Sequence, residues 1–162
     1  LEPVEWLGNA TAQYPLHMIS NQPSTKLHSQ LDHGPHSRSN KIGDREPVSL
    51  HPDDANARNI EPGDLVKISN DRGACLAGAV IDTRIRRGVI QLSTGAWFDP
   101  ADPTVEKSIC KHGNPNVLTM DKGTSRLGQG PIAHSCLVEI ERYRGEALTV
   151  TAFEPPPISK AD

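Results

Sequence analysis

The 162-residue chain is poor in aromatic side chains, with two Trp, two Tyr and two Phe. A core built from it must therefore be small and mostly aliphatic. Lys and Arg total 17 against 20 Asp and Glu, and the basic residues form no stripe, which argues against a nucleic-acid surface. No apolar run approaches the ~20 residues of a membrane span, and no signal-peptide pattern opens the chain. Cysteine is scarce too: Cys75, Cys110 and Cys136 are three in number, at spacings that make no CxxC or zinc pattern. Cys75 and Cys136 lie in apolar, strand-like runs and suit small core positions. A disulfide network is not expected, which mildly favours a reducing compartment.

Catalytic signatures are missing as well. There is no GxSxG elbow, no HExxH, no Walker loop and no GxGxxG after a strand, so nucleophilic and zinc-hydrolase chemistries lose their usual sequence support. His28, His33 and His36 crowd one polar stretch, but their spacing fits no standard metal pattern. No catalytic residue and no metal ligand is assigned.

Gly (13) and Pro (14) are plentiful by contrast, and they favour turns, short strands and ordered loops. Strands are expected at 16–20, 48–50, 65–69, 75–81, 89–93, 117–120 and 136–141, with a last one at 148–153. The run Cys75–Ile81 is apolar almost throughout and should be buried on both faces. Pro52-Asp53-Asp54 opens a short helix over 52–58, with Pro in the first turn and two acids facing the helix dipole. Asn70-Asp71-Arg72-Gly73 marks a tight turn between two strands. The pattern is mainly β with short helices, a closed or nearly closed barrel carrying long polar loops at 32–45 and 99–116. Residues 32–45 and 99–113 are expected to be mobile in the isolated domain.

Small hydrogen-bonding groups concentrate near strand ends: Asn21, Gln22, His28, Ser29 and Gln30 after the first strand, Asn114 and Asn116 before another, and Thr124, Ser125 and Gln129 in a Gly-rich run. On a barrel such segments can converge at one end and meet an extended polar ligand. Pyrophosphate favours hydroxyls, N–H groups and a cation such as Lys26. Guanine and pterin edges favour Asn, Gln and Asp, which donate and accept in pairs. Composition by itself favours the plainer reading, that the loops are polar because they are solvated.

The ordered motifs go further. Lys26-Leu27-His28-Ser29-Gln30, Glu46-Pro47-Val48, His51-Pro52-Asp53-Asp54-Ala55, Gly63-Asp64-Leu65-Val66 and Asn70-Asp71-Arg72-Gly73 resemble the molybdopterin dinucleotide-binding domain of the dimethyl sulfoxide reductase family. So do Gly95-Ala96-Trp97-Phe98-Asp99-Pro100, Gly113-Asn114-Pro115-Asn116-Val117-Leu118-Thr119 and Gly123-Thr124-Ser125-Arg126-Leu127-Gly128-Gln129-Gly130. The resemblance runs from about Trp6 to Phe153, in family order. Within the family, 93–100 and 133–139 look most like biotin sulfoxide reductases, with trimethylamine N-oxide reductases close by. Gly128 departs from the Ala common at that position in relatives.

The resemblance implies a double-psi β-barrel over residues 14–153, with 1–13 a linker from upstream domains and 154–162 a tail. It implies bis-molybdopterin guanine dinucleotide with molybdenum (tungsten is possible), contacted by Asn21, Gln22, Leu27, His28, Ser29, Gln30, Asn114, Asn116 and Gln129. Trp97 suits either a place beside the site or one in the core. The implied partners are the remaining domains of a parent enzyme, a small S-oxide or N-oxide substrate and an unidentified electron donor, without nucleic acid or membrane. The metal ligand would lie outside this chain, which should be inactive alone. A chain beginning at Leu1 reads as a domain excised from a longer polypeptide. Cytoplasmic location is expected, with the periplasm possible. The alternative readings are a non-enzymatic double-psi barrel used for binding or recognition, and a separate cofactor-binding subunit.

Overall fold

A computed structural model describes residues 8–155. Most of the expected linker and tail, at 1–7 and 156–162, lies outside the described residues. Residues Asn9–Ala12 form a 3-10 turn ahead of the first strand.

Six strands close into a barrel: β1 (Leu16–Ile19), β2 (Pro47–Leu50), β3 (Leu65–Asn70), β4 (Gly73–Ile81), β5 (Val89–Leu92) and β6 (Cys136–Arg142). Their order around the barrel is β1-β5-β2-β4-β3-β6. Two pairs are parallel, β1·β5 and β2·β4, and the other four are antiparallel. Two five-residue helices, α1 (Pro35–Ser39) and α2 (Pro52–Asn56), sit in the connections. The closed, mainly β architecture agrees with the sequence expectation.

Alternation dictates the interior. Leu16 and Met18, Val48 and Leu50, Val66 and Ile68, Ile90 and Leu92, and Val138 and Ile140 are buried in one cluster, each pair two residues apart on its strand. β4 contributes the smaller Cys75, Ala77 and Ala79 to that cluster, which leaves a narrow barrel room for the larger side chains opposite. Each buried aliphatic side chain contributes about 1.5–3 kcal/mol. Leu76, out of phase with those three, is buried all the same: its N–H donates to the Cys110 carbonyl at 2.8 Å, and the 99–113 segment covers that outer face. β4 is thus buried on both faces, as its apolar run foretold.

Two expected strands are absent. Residues 115–117 form a 3-10 turn instead of opening a strand at 117. Pro115 fixes the first turn, and Asn114 Oδ1 accepts the Asn116 N–H at 2.9 Å, a local bond that competes with a ladder. The Leu118 carbonyl is satisfied by side chains, accepting from Asn70 Nδ2 at 2.8 Å and Arg72 Nε at 2.6 Å. Residues 148–153 form no strand because the barrel is closed and offers no free edge. Side chains hold that segment too: Asp99 accepts the Thr151 N–H at 2.7 Å, and Arg45 Nη2 donates to the Leu148 carbonyl.

The two polar loops are less solvated than their composition suggests. Asp32, Ser37 and Arg45 are buried in the first, and Asp99 and Cys110–Gly113 in the second; the second is exposed throughout only over 101–107. Register fixes which end these loops occupy. Met18 pairs with both Ile90 and Cys136, so β1 and β5 end where β6 begins. Val48 opposite Leu92 puts the start of β2 there, and Ser69 opposite Glu139 puts the β3–β4 hairpin there. The loops 20–46 and 93–135 therefore leave the same end of the barrel.

Candidate functional site

All nine residues expected to bind cofactor lie on those two loops. Six of them form one contiguous group. Asn21, just past β1, accepts from Gln91 Nε2 at 2.8 Å, and its carbonyl accepts the Thr94 N–H at 2.9 Å. It thereby ties the exit of β1 to the exit of β5. Gln22 Nε2 donates to the Lys26 carbonyl at 2.8 Å. Leu27-His28-Ser29-Gln30 then make a tight turn, bridged at Leu27 and Gln30, with the Gln30 N–H bonded to the Leu27 carbonyl at 2.8 Å. All four residues are exposed, and His28 holds a left-handed φ of 49°. Among the described residues, the side chains of His28, Ser29 and Gln30 have no hydrogen-bond partner. They are polar groups displayed to the outside.

The remaining three lie on the second loop, Asn114 and Asn116 at its 3-10 turn and Gln129 further along it. Asn114 caps its 3-10 turn with Oδ1, and Asn116 is exposed beside it. Gln129 adopts φ 48° and donates to the Arg126 carbonyl at 3.2 Å. It sits in the loop closed by the Gly123–Pro131 bridge, facing an open groove of about 700 Å³ with Lys122, Thr124, Ser125 and Arg126. Leu127 stands at the tip of that loop, 98% exposed.

Beneath the 27–30 turn lies a feature the sequence did not disclose. Lys26 and Lys41 each bridge Asp32 and Glu46, with N···O distances of 2.8 and 2.6 Å for Lys26 and 2.9 and 3.0 Å for Lys41. All four charged ends are buried. Lys26, expected as a cation for pyrophosphate, is therefore spent on internal carboxylates and cannot reach a ligand. Burial pushes the Asp32 carboxyl up, but hydrogen bonds from the two ammonium groups outweigh it and hold the group at about 2. Ser37 Oγ also donates to Asp32, at 3.0 Å. Lys26, Asp32, Lys41 and Glu46 carried the signal, masked because charges in a polar loop read as solvated.

Trp97, His112 and Phe153 form an apolar counterpart. His112 is fully buried, with Nδ1 3.1 Å from the Trp97 carbonyl. Burial and then the nearby Lys41 ammonium push its imidazole down, so it is neutral near pH 7, donating through Nδ1. Among the described residues its Nε2 has no hydrogen-bond partner. The Phe153 ring meets His112 edge-on at 4.9 Å and Trp97 at 5.3 Å, and Arg38 and Lys41 lie over its face. The segment after β6 thus returns to the loop end and packs there. Among the described residues no group of three or more His, Cys, Asp or Glu is placed to hold a metal ion.

Comparison with known proteins gives consistent matches. A family model described as molydopterin dinucleotide binding domain matches residues 16–137. A trimethylamine-N-oxide reductase of Haemophilus influenzae is 46% identical over 157 residues, covering 96% of this chain and 19% of the relative. A biotin sulfoxide reductase of Cereibacter sphaeroides is 50% identical over 147 residues, covering 91% of this chain and 19% of the relative. Among solved structures, acetylene hydratase from Pelobacter acetylenicus aligns with a TM-score of 0.66 at 16% identity, over 83% of this chain and 19% of that one. That last likeness concerns the fold. The chain spans about a fifth of the length of these relatives.

Proposed function

The chain belongs to the molydopterin dinucleotide binding domain family, and from that premise we propose that it is the cofactor-holding domain of a larger molybdenum oxidoreductase reducing S-oxides or N-oxides. The group it would hold is bis-molybdopterin guanine dinucleotide, contacted by the nine residues named above. The observation that carries this reading is the strand register, which sends every one of those residues out from one end of a closed barrel.

The donor set suits such a group. Asn116, Gln22, Gln30 and Gln129 offer amides, each able to donate and accept along one edge of a purine-like ring. His28 and Ser29 offer an imidazole and a hydroxyl at a turn whose backbone is already fixed. Lys122 and Arg126, lining the groove with Gln129, supply the positive charge a pyrophosphate requires and that Lys26 cannot give. When bound, the molybdenum–pterin group supplies two-electron redox chemistry, and the domain's residues bind and orient it. The remaining domains of the parent enzyme would complete the substrate site and meet the electron donor. Cys75, Cys110 and Cys136 are buried with no disulfide among the described residues, which supports a reducing, cytoplasmic setting.

Titration calorimetry of the chain with guanosine diphosphate tests the reading. Saturable binding is expected, weakened about fivefold or more by either His28→Ala or Gln129→Ala. Absence of heat at millimolar nucleotide would overturn it. The isolated chain should not reduce a sulfoxide with reduced viologen as donor, since no metal ligand is assigned to it.

A further inference from the structure

Trp97 leaves the barrel on the strand-exit segment after β5, reaches the 27–30 turn through its indole, and is itself held at Asp32 and His112. Its indole Nε1–H donates to the Ser29 carbonyl at 2.7 Å. Its backbone N–H donates to Asp32 Oδ2 at 3.1 Å, and its carbonyl accepts from buried His112. Two residues earlier, Gly95 (φ 95°) presses so close that a Cβ there would stand 1.8 Å from the His28 carbonyl oxygen. The turn it braces contains His28 in a left-handed conformation that non-glycine residues seldom adopt, so the turn gains little from its own backbone preference. The Trp97 ring is itself partly exposed, against His33 at 5.6 Å and Phe153 at 5.3 Å, and so is not a core residue.

We propose that Trp97 is a positioning residue: its indole N–H fixes the Ser29 carbonyl and so aims His28 and Ser29 at the ligand, while the buried Lys26–Asp32–Lys41–Glu46 cluster fixes Trp97. The effect on binding rests on the cofactor-holding reading above; the effect on the turn does not. Asp32 links the two halves, since Oδ1 meets the ammonium groups and Oδ2 meets Trp97. The displayed side chains are thereby ordered before a ligand arrives, which lowers the entropy lost on binding.

Trp97→Phe tests this, because it keeps an aromatic ring against His33 and Phe153 while removing the indole N–H donor along with the second ring. Backbone amide exchange at Gln30 is expected to rise about tenfold with little change in Tm. The Kd for guanosine diphosphate should rise about fivefold, and combining the variant with His28→Ala should lose less than the product of the two single losses. Asp32→Asn should speed exchange at Trp97 and at Gln30 together. Unchanged Gln30 exchange in Trp97→Phe, or fully multiplicative losses in the double variant, would overturn the proposal. A wild-type chain that binds no nucleotide refutes the cofactor-holding reading instead, and the exchange measurement still decides the role of Trp97.

Discussion

Asp32 shows how much one side chain can decide. It is the shared acceptor of two ammonium groups, a hydroxyl and a backbone N–H, all out of water. Asp32→Asn leaves Lys26 and Lys41 with one carboxylate between them, so a loss of about 3–5 kcal/mol in urea unfolding is expected. The folded carboxyl sits at about 2, below its ordinary 3.8. Its stabilisation is therefore complete above that ordinary value and is lost as pH falls through 3.8 toward about 2. Thermal unfolding across that window should show a decline that Asp32→Asn lacks. His112 acts at higher pH. Its imidazole is pushed below the ordinary 6.5, so the unfolded chain takes up a proton first, and stability should fall as pH drops below 6.5. His112→Gln, which can still donate to the Trp97 carbonyl but cannot titrate there, should flatten that decline in the same assay. Neither role is legible from sequence, since burial of a loop charge depends on which distant charges fold over it.

Elements were legible where local chemistry and packing agreed. Pro52-Asp53-Asp54 opens α2, and the β3–β4 hairpin closes at Asn70 and Gly73 as its turn residues indicate. Val117–Met120 failed because its apolar content suited burial without a strand: Leu118 is buried and its carbonyl is bound by Asn70 and Arg72. The approach is close, for a Cβ at Gly73 would lie 2.7 Å from the Val117 carbonyl oxygen. Gly73→Ala should destabilise by about 1–3 kcal/mol in denaturant unfolding, the range for forcing extra atoms into a packed site. The polar loops are anchored at their ends, so hydrogen exchange should be fast over 102–107 and slow at Cys110 and Lys111. Uniformly fast exchange across 99–113 would show the whole loop to be loose, as composition alone suggested.

At the scale of the molecule, a small aliphatic barrel carries the proposed binding groups on one rim and braces that rim from below with charge and from the side with aromatic rings. The barrel was legible from alternation and ordered motifs, and so was the placing of the nine candidate residues on the loops between its strands. The bracing was not, because Trp97, His112 and Phe153 come from three separate segments that only the closed topology brings together. That closure sets an order of events during synthesis. The first strand pairs with the last, so β1 stays without its β6 neighbour until nearly the whole domain has left the ribosome. Until then the rim has no fixed shape, and a dinucleotide has no finished surface to recognise. On the cofactor-holding reading proposed above, loading would follow the pairing of β1 with β6, and the barrel's closing pair would set its timing.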